Sequence, residues 1–323
     1  MTYHFLMTAP TLAVSGQKAL ADAGCQVTYI KDSNNAAEVE HLTATLPIDA
    51  IISRTVKLTA VAINQCPTLK VISKHGVGVN NIDVDAATNR HIPVFTTPGT
   101  NAVSVAELAI GLMIASARRT IFFNKELHAG QWTRINEGRQ LKGLNLGLIG
   151  FGQIGRHVAH IAHAMGLHIS VFDPAIKSMT IPDYVTPLAS AEAVMKQADI
   201  LSLHVPANDH TRNMINEETI ALLPDQAIII NTARGELIDE KALITALESG
   251  KLFGAGLDTF THEPLLSDDP LVSAPNIIMS PHIGGATEAA LNAVSTSAVE
   301  NCLRFLNGQT VDPSRCVNPQ VLT

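Results

Sequence analysis

Leu144-Asn145-Leu146-Gly147-Leu148-Ile149-Gly150-Phe151-Gly152-Gln153-Ile154-Gly155, running on through Arg156 to Met165 and then Ile169-Ser170-Val171-Phe172-Asp173, decides the fold. A short apolar run with no polar face suits a parallel strand covered by helices on both sides. Three glycines follow at the spacing of a turn that carries a diphosphate. Gly150 permits the sharp turn, Gly152 lets the backbone approach the phosphates with no side chain between, and Gly155 lets the helix pack closely on the strand. The helix opened by Gln153 and Ile154 would hold the anion on its unpaired N–H groups and the positive end of its dipole. Asp173 ends the next apolar strand about 20 residues on, where a carboxylate accepts hydrogen bonds from ribose hydroxyls. That carboxylate would repel a 2′-phosphate. Pro174 and Ala175 follow it with no arginine nearby to receive such a phosphate, so the stretch reads as an NAD site rather than an NADP site.

Composition bounds the rest. The chain has 323 residues, 46% of them apolar and 16% charged, enough for two domains and a sizeable core. A net charge of −7 without any Lys/Arg block argues against a nucleic-acid partner. Met1 to Met7 lacks the pattern of a secretory signal. The most apolar run, Val103 to Ala117, is too short to span a bilayer and carries Glu107, so it reads as a buried helix. A soluble, cytoplasmic protein with no membrane partner is expected. Cys25, Cys66, Cys302 and Cys316 are widely spaced and read as reduced, structural thiols. His157, His160 and His163 recur every third residue, a step that drifts around a helix, and no acid or cysteine completes a set, so no metal site is expected.

Working outward, strands at Phe5 to Thr8, Gln26 to Ile30, Ala50 to Ile52 and Leu69 to Ser73 alternate with helices and predict a parallel sheet. The loops after the third and fourth strands carry Arg54 and Lys74 to the carboxyl edge, where ligands bind in such sheets. Pro98-Gly99-Thr100-Asn101 suits a domain crossing into one long helix from Ser104 to about His128, with Ser104 and Glu107 as a capping box. Further strands are expected at Ile200 to His204, Ala227 to Asn231, Phe253 to Asp258 and Ile277 to Ser280. A tail helix from Glu288 to Leu306 has nowhere to pack unless it returns to the first domain. The expected architecture is α/β, with two doubly wound parallel-sheet domains. One is a discontinuous, flavodoxin-like substrate domain formed by residues 1–99 and 289–323; the other is a Rossmann-like NAD domain, residues 100–288.

Three strand ends carry chemistry. Asn231-Thr232-Ala233-Arg234-Gly235 brings an arginine, whose planar cation grips a carboxylate with two hydrogen bonds. Asp258-Thr259-Phe260-Thr261-His262-Glu263-Pro264 and Ser280-Pro281-His282-Ile283-Gly284-Gly285 bring an acid and a histidine to the same edge. Together they suit hydride transfer to a 2-keto acid: Arg234 anchors the carboxylate, His282 protonates the carbonyl oxygen as hydride arrives, and Glu263 orients His282. Asn208 and Thr211, after His204-Val205-Pro206, lie where a cofactor edge could rest.

These motifs, with Gly76-Val77-Gly78-Val79-Asn80-Asn81-Ile82-Asp83 and Ser104-Val105-Ala106-Glu107-Leu108, run in this order over nearly the whole chain. The sequence resembles the D-isomer-specific 2-hydroxyacid dehydrogenase family. The resemblance implies an NAD-dependent oxidoreductase with Arg234, Glu263 and His282 as its catalytic residues. It implies cofactor contacts from the glycine loop, Asp173, His204, Val205, Pro206, Thr211, Thr232, Ala233, His282, Gly284 and Gly285, with Asp258 meeting the nicotinamide carboxamide. Backbone at Gly76 and Val77, together with Asn101, would hold the substrate, and the helix after Ser104 would join a homodimer. Asn80 departs from the family's usual aspartate. Arg54, Lys74 and Arg134 match basic, phosphate-contacting positions of the phosphoglycerate dehydrogenase branch, so the expected reaction interconverts 3-phosphoglycerate and phosphohydroxypyruvate. The chain ends at Thr323 without that branch's regulatory domain, so serine feedback is not expected. The alternative is a reductase of hydroxypyruvate, glyoxylate or another small or sulfonated acid. Two other readings are an NAD-sensing corepressor-like binding protein and a formate dehydrogenase. Glu263 opposes the second, because formate dehydrogenases pair their histidine with glutamine.

Overall fold

The computed structural model describes residues 2–322 and divides into two compact units, Met1–Asn101 with Ala286–Thr323, and Ala102–Gly285. In the first unit the chain alternates β1 (His4–Met7), α1 (Val14–Asp22), β2 (Gln26–Tyr29), α2 (Ala36–Thr45), β3 (Ala50–Ser53), α3 (Ala60–Asn64), β4 (Val71–Lys74), α4 (Val84–Asn89) and β5 (Val94–Phe95). The sheet order β2-β1-β3-β4-β5 is entirely parallel and reverses between β1 and β3, the flavodoxin-like arrangement. β1, β3 and β4 are buried along their whole length, as strands covered on both faces must be.

The second unit opens with α5 (Ala102–Ala117) and α6 (Thr120–His128). One helix was expected here and two are found. Arg119 adopts a left-handed backbone, φ 50°, between them. Its guanidinium lies 4.7 Å from the Phe253 ring and its Nε 3.1 Å from Glu137, contacts that turn the chain away from the α5 axis. α5 also begins ahead of Ser104, which therefore lies within the helix rather than capping it.

Then follow β6 (Asn145–Ile149), α7 (Gln153–Ala164), β7 (His168–Phe172), β8 (Val185–Pro187), α8 (Ala191–Met195), β9 (Ile200–Leu203), α9 (Glu217–Leu222), β10 (Ala227–Asn231), α10 (Glu240–Glu248), β11 (Leu252–Leu257), α11 (Pro270–Ser273) and β12 (Ile277–Met279). The seven strands are parallel in the order β12-β11-β10-β9-β6-β7-β8, reversing between β6 and β9. Such a switch point leaves a crevice at the strand carboxyl ends. β10 and β11 have every residue buried, which accounts for their apolar sequence up to Asn231 at the end of β10. α12 (Glu288–Leu306) packs on α1 and β4 of the first unit, capped by the Thr287 side chain accepting from Ala290 N–H. All four cysteines are free thiols, and among the described residues no helix is long and apolar enough to cross a membrane.

Candidate active site

The glycine loop lies where β6 meets β9. Gly150 has φ 98°, and a Cβ built on it would stand 2.4 Å from the His204 carbonyl oxygen, so both conformation and crowding demand glycine. A Cβ on Gly155 would stand 2.4 Å from the Gly150 carbonyl oxygen, which brings α7 hard against the loop. Gly152 is the opposite case. Nothing lies within 4 Å of its would-be Cβ, and as the α7 N-cap it supplies no side-chain acceptor. The first-turn amides of Gln153, Ile154 and Gly155 thus face space suited to an anion.

Asp173 lies beside this loop. Its Oδ2 accepts from Phe151 N–H at 2.7 Å and its Oδ1 from Ala175 N–H at 2.8 Å, which fixes the carboxylate at the end of β7. Arg156 ties the loop further, donating from Nε to the Phe151 carbonyl at 3.1 Å and from Nη1 to the Thr180 carbonyl at 3.0 Å. At the end of β9, His204 Nε2 is 2.9 Å from Ser202 Oγ, while Nδ1 is buried without a partner among the described residues. Burial pushes this imidazole down to about 4, so it is neutral at physiological pH. Thr211 closes its own loop, donating to the Pro206 carbonyl at 2.7 Å. The hydroxyls of Thr232 and Thr259, beside the ends of β10 and β11, are likewise buried without partners among the described residues. An open space at Gly152, a poised carboxylate and orphaned polar atoms along one sheet edge fit a dinucleotide.

Arg234, Glu263 and His282 leave the neighbouring strands β10, β11 and β12. Glu263 and His282 meet: Oε2 lies 2.8 Å from His282 Nδ1, and Oε1 accepts from Phe260 N–H at 3.0 Å. Both side chains are exposed, so the pair contributes orientation more than stability. Arg234 is half-buried and donates from Nη1 to the Ala233 carbonyl at 2.6 Å. Its loop is shaped by a residue the sequence reading gave no role. Asn231 is fully buried and spends its amide on this loop, donating to the Arg234 carbonyl and accepting from Ala233 N–H. Gly235 also shapes this loop. A Cβ there would meet the Phe260 carbonyl carbon at 1.9 Å, so glycine alone lets the Arg234 loop lie on the turn that holds Glu263. Thr261 N–H of that turn donates to Glu240 at 2.9 Å. A glycine just after the arginine was visible in the sequence, but nothing there specified which backbone it would touch.

In the first unit, the Arg54 guanidinium makes no hydrogen bond or ion pair among the described residues. Lys74 is different: it is buried, and its Nζ donates to the Arg54 carbonyl and, at 2.5 Å, to Asn81 Oδ1. Asn81 in turn donates to Ser53 Oγ at 3.1 Å and the Val56 carbonyl at 2.8 Å. His75, between Lys74 and Gly76, is pushed down to about 4 by burial, with the Arg54 and Lys74 cations adding to the effect. Gly76 N–H donates to Thr97 Oγ1 at 3.0 Å, while Val77 is exposed and its amide has no acceptor among the described residues. Asn101 is half-buried, and Arg134 is exposed in the segment after α6. His163 stacks on Tyr184 at 4.1 Å, and among the described residues no group of three metal-ligating side chains occurs.

The second unit is a Rossmann-like nucleotide domain, and comparison with known proteins identifies its class. The family model for the NAD-binding domain of D-isomer specific 2-hydroxyacid dehydrogenases matches residues 110–284. A hydroxypyruvate reductase of Thermotoga maritima is 42% identical over 275 residues, covering 83% of this chain and 89% of that enzyme. A D-3-phosphoglycerate dehydrogenase of Methanocaldococcus jannaschii is also 42% identical, over 82% of this chain but 51% of its own length. This chain therefore spans about half of that relative. The crystal structure of the TT0316 protein from Thermus thermophilus superposes with a TM-score of 0.87 at 33% identity, covering 97% and 99% of the two chains. The chain belongs to the D-isomer specific 2-hydroxyacid dehydrogenase family. It is an NAD-dependent oxidoreductase of that family.

Proposed function

We propose that the protein interconverts 3-phosphoglycerate and phosphohydroxypyruvate by hydride exchange with NAD, with His282 as acid–base and Arg234 as carboxylate anchor. The observation that carries the reading is the 2.8 Å contact between Glu263 Oε2 and His282 Nδ1, which turns Nε2 outward as the proton-carrying atom. In the reductive direction His282 gives its proton to the carbonyl oxygen; in the oxidative direction it removes the proton from the hydroxyl. NAD supplies or receives the hydride when bound. The glycine-loop amides would hold its diphosphate and Asp173 its ribose. His204, Val205, Pro206, Thr211, Thr232, Ala233, Asp258, Gly284 and Gly285 would border the remainder. Val77 N–H, with Gly76 and Asn101, would meet the substrate carboxylate.

Arg54, whose guanidinium has no hydrogen-bond or ion-pair partner among the described residues, supports an anionic substrate side chain, with Arg134 as a second cation. Lys74 Nζ is engaged by protein acceptors, which weakens its part in a direct contact and favours a second reading. In that reading the substrate is hydroxypyruvate or glyoxylate, as the name of the Thermotoga relative suggests. Comparing kcat/KM for phosphohydroxypyruvate, hydroxypyruvate and glyoxylate with NADH tests the two. A preference of tenfold or more for the phosphorylated acid, about 1.4 kcal/mol, supports the anion site; a preference for the smaller acids supports the second reading.

We further propose a cytoplasmic homodimer. Val103, Ile114, Ile121, Phe122, Leu127 and Trp132 are exposed along α5, α6 and the following segment, with Trp132 at 79%, an apolar surface that a second copy would cover. Sedimentation at assay concentrations reads the oligomeric state.

A further inference from the structure

We propose that Ser280 is a positioning residue for His282, acting through the carboxylate of Asp258. His282 adopts a left-handed backbone, φ 54°, a conformation that is costly for a residue with a bulky ring and persists only where surrounding structure enforces it. Besides His282 N–H to the Ser280 carbonyl at 3.0 Å and the Glu263 contact, the enforcing side-chain contacts converge on Asp258. Its carboxylate is 1% exposed at the end of β11 and accepts three donors from the loop that carries the histidine. Ser280 Oγ–H reaches Oδ1 at 2.6 Å, Ile283 N–H reaches Oδ1 at 2.9 Å, and Gly284 N–H reaches Oδ2 at 2.7 Å. The loop is thus gripped on both sides of His282. Gly284 fits the same grip, since a Cβ there would stand 3.0 Å from Asp258 Oδ2 and 3.3 Å from Val105.

Three donors also explain how a carboxylate tolerates burial, because charge-assisted hydrogen bonds replace the water it lost. Ser280 supplies one of the three and the only one from a side chain. It is the single member that substitution removes without altering backbone, and among the described residues its hydroxyl hydrogen-bonds to neither Glu263 nor the imidazole. Without its hydroxyl, Asp258 keeps two amide donors, and the loop is released to relax from the left-handed turn. The ring then leaves the position set by Glu263, and a displacement of 1 Å at a reacting group is enough to cost up to ~10²-fold in rate. The effect falls on turnover. NADH would be held chiefly by the glycine loop and Asp173, with Asp258 and Gly284 bordering only its nicotinamide end.

This inference rests on His282 being the acid–base residue, and the experiment separates the two claims. Ser280→Ala, Ser280→Thr, His282→Ala and the Ser280→Ala/His282→Ala double variant are assayed with hydroxypyruvate or its phosphorylated form, and NADH Kd is read by fluorescence. Ser280→Ala is expected to lower kcat by about tenfold with the keto-acid KM within about twofold, while NADH Kd, which Asp258 would touch at the nicotinamide end, weakens by clearly less than kcat falls. Ser280→Thr, which keeps the hydroxyl, restores most of the rate. In the double variant the serine change adds nothing to the histidine change, the signature of two residues acting as one unit. A kcat for Ser280→Ala equal to the parent's overturns the proposal, as does a loss of the same size in the His282→Ala background or an NADH Kd that weakens in step with kcat. If Ser280→Ala does not fold, Ser280→Cys carries the same comparisons. Should His282→Ala itself keep full activity, the acid–base reading falls and this proposal with it; should only the serine variants behave as the parent, the positioning role alone falls.

Discussion

Glu263 divides its carboxylate between the backbone and the histidine: Oε1 accepts Phe260 N–H at 3.0 Å and Oε2 lies 2.8 Å from His282 Nδ1. The acid is held by its own turn before it touches the ring, so the tautomer and aim of His282 follow from the backbone geometry after β11. His282→Ala is expected to reduce kcat on the order of 10²–10⁴-fold, the usual contribution of positioned acid–base catalysis. Glu263→Gln keeps the Nδ1 contact but not its charge and is expected to fall between parent and His282→Ala. Steady-state kinetics on the two variants decides it, and a retained rate in His282→Ala removes the residue from the mechanism.

Gly235 offers a structural test. A Cβ there overlaps the Phe260 backbone at 1.9 Å, and backbone cannot swing aside as a flexible side chain does. Gly235→Ala is expected to destabilise the protein by about 2 kcal/mol or more and to cut turnover, because two of the three reactive loops rest on that contact. Denaturant unfolding with the parent as reference reads the first effect. A fully stable and active variant would mean that the loops separate without cost.

Legibility in the sequence followed the range of the interaction. The parallel strands were readable because complete burial demands runs of apolar residues, and residues 227–230 of β10 and the whole of β11 show both. The glycine loop was readable because its constraints lie within six consecutive residues. The break at Arg119 was not, since it depends on Phe253 and Glu137, far along the chain or across a loop. β8 was missed because its Val185-Thr186-Pro187 is an edge strand too short to leave a pattern. In the site, the residues proposed to touch reactants announce themselves by chemical type. Those that hold them in place, Asn231, Ser280 and Asn81, are ordinary polar residues whose partners only the folded chain brings near. Lys74 is the counterpart: its type suggests a ligand contact, but its burial and its bonds to Asn81 and the Arg54 carbonyl could be seen only in the folded chain.

Cofactor choice is expected to turn on Asp173. Its carboxylate is fixed by Phe151 and Ala175 amides, so it cannot swing away from a 2′-phosphate. Asp173→Ser is expected to raise the ratio of kcat/KM for NADPH over NADH by about fivefold or more, since one like-charge contact near a protein surface is worth roughly 1 kcal/mol or more. An unchanged ratio would contradict the ribose assignment.

Acid is expected to destabilise the fold through two neutral histidines. His75 and His204 are each pushed from 6.5 down to about 4, by burial first and, for His75, by the Arg54 and Lys74 cations as well. The unfolded chain therefore binds protons that the folded chain refuses between those values. Stability is full above about pH 6.5 and declines as pH falls toward 4, by up to about 3 kcal/mol for each group. Thermal unfolding across this window should show the decline, and His75→Asn should flatten part of it. A Tm independent of pH there would refute the assignment.

The most direct measurement is NAD reduction by separated enantiomers of one 2-hydroxyacid, D- and L-glycerate and their 3-phosphates, with parent and His282→Ala protein side by side. NADH is expected to form from the D enantiomer alone, and the activity to be largely lost in the variant. Equal turnover of both enantiomers, or none from any of the four with NAD demonstrably bound, would contradict it.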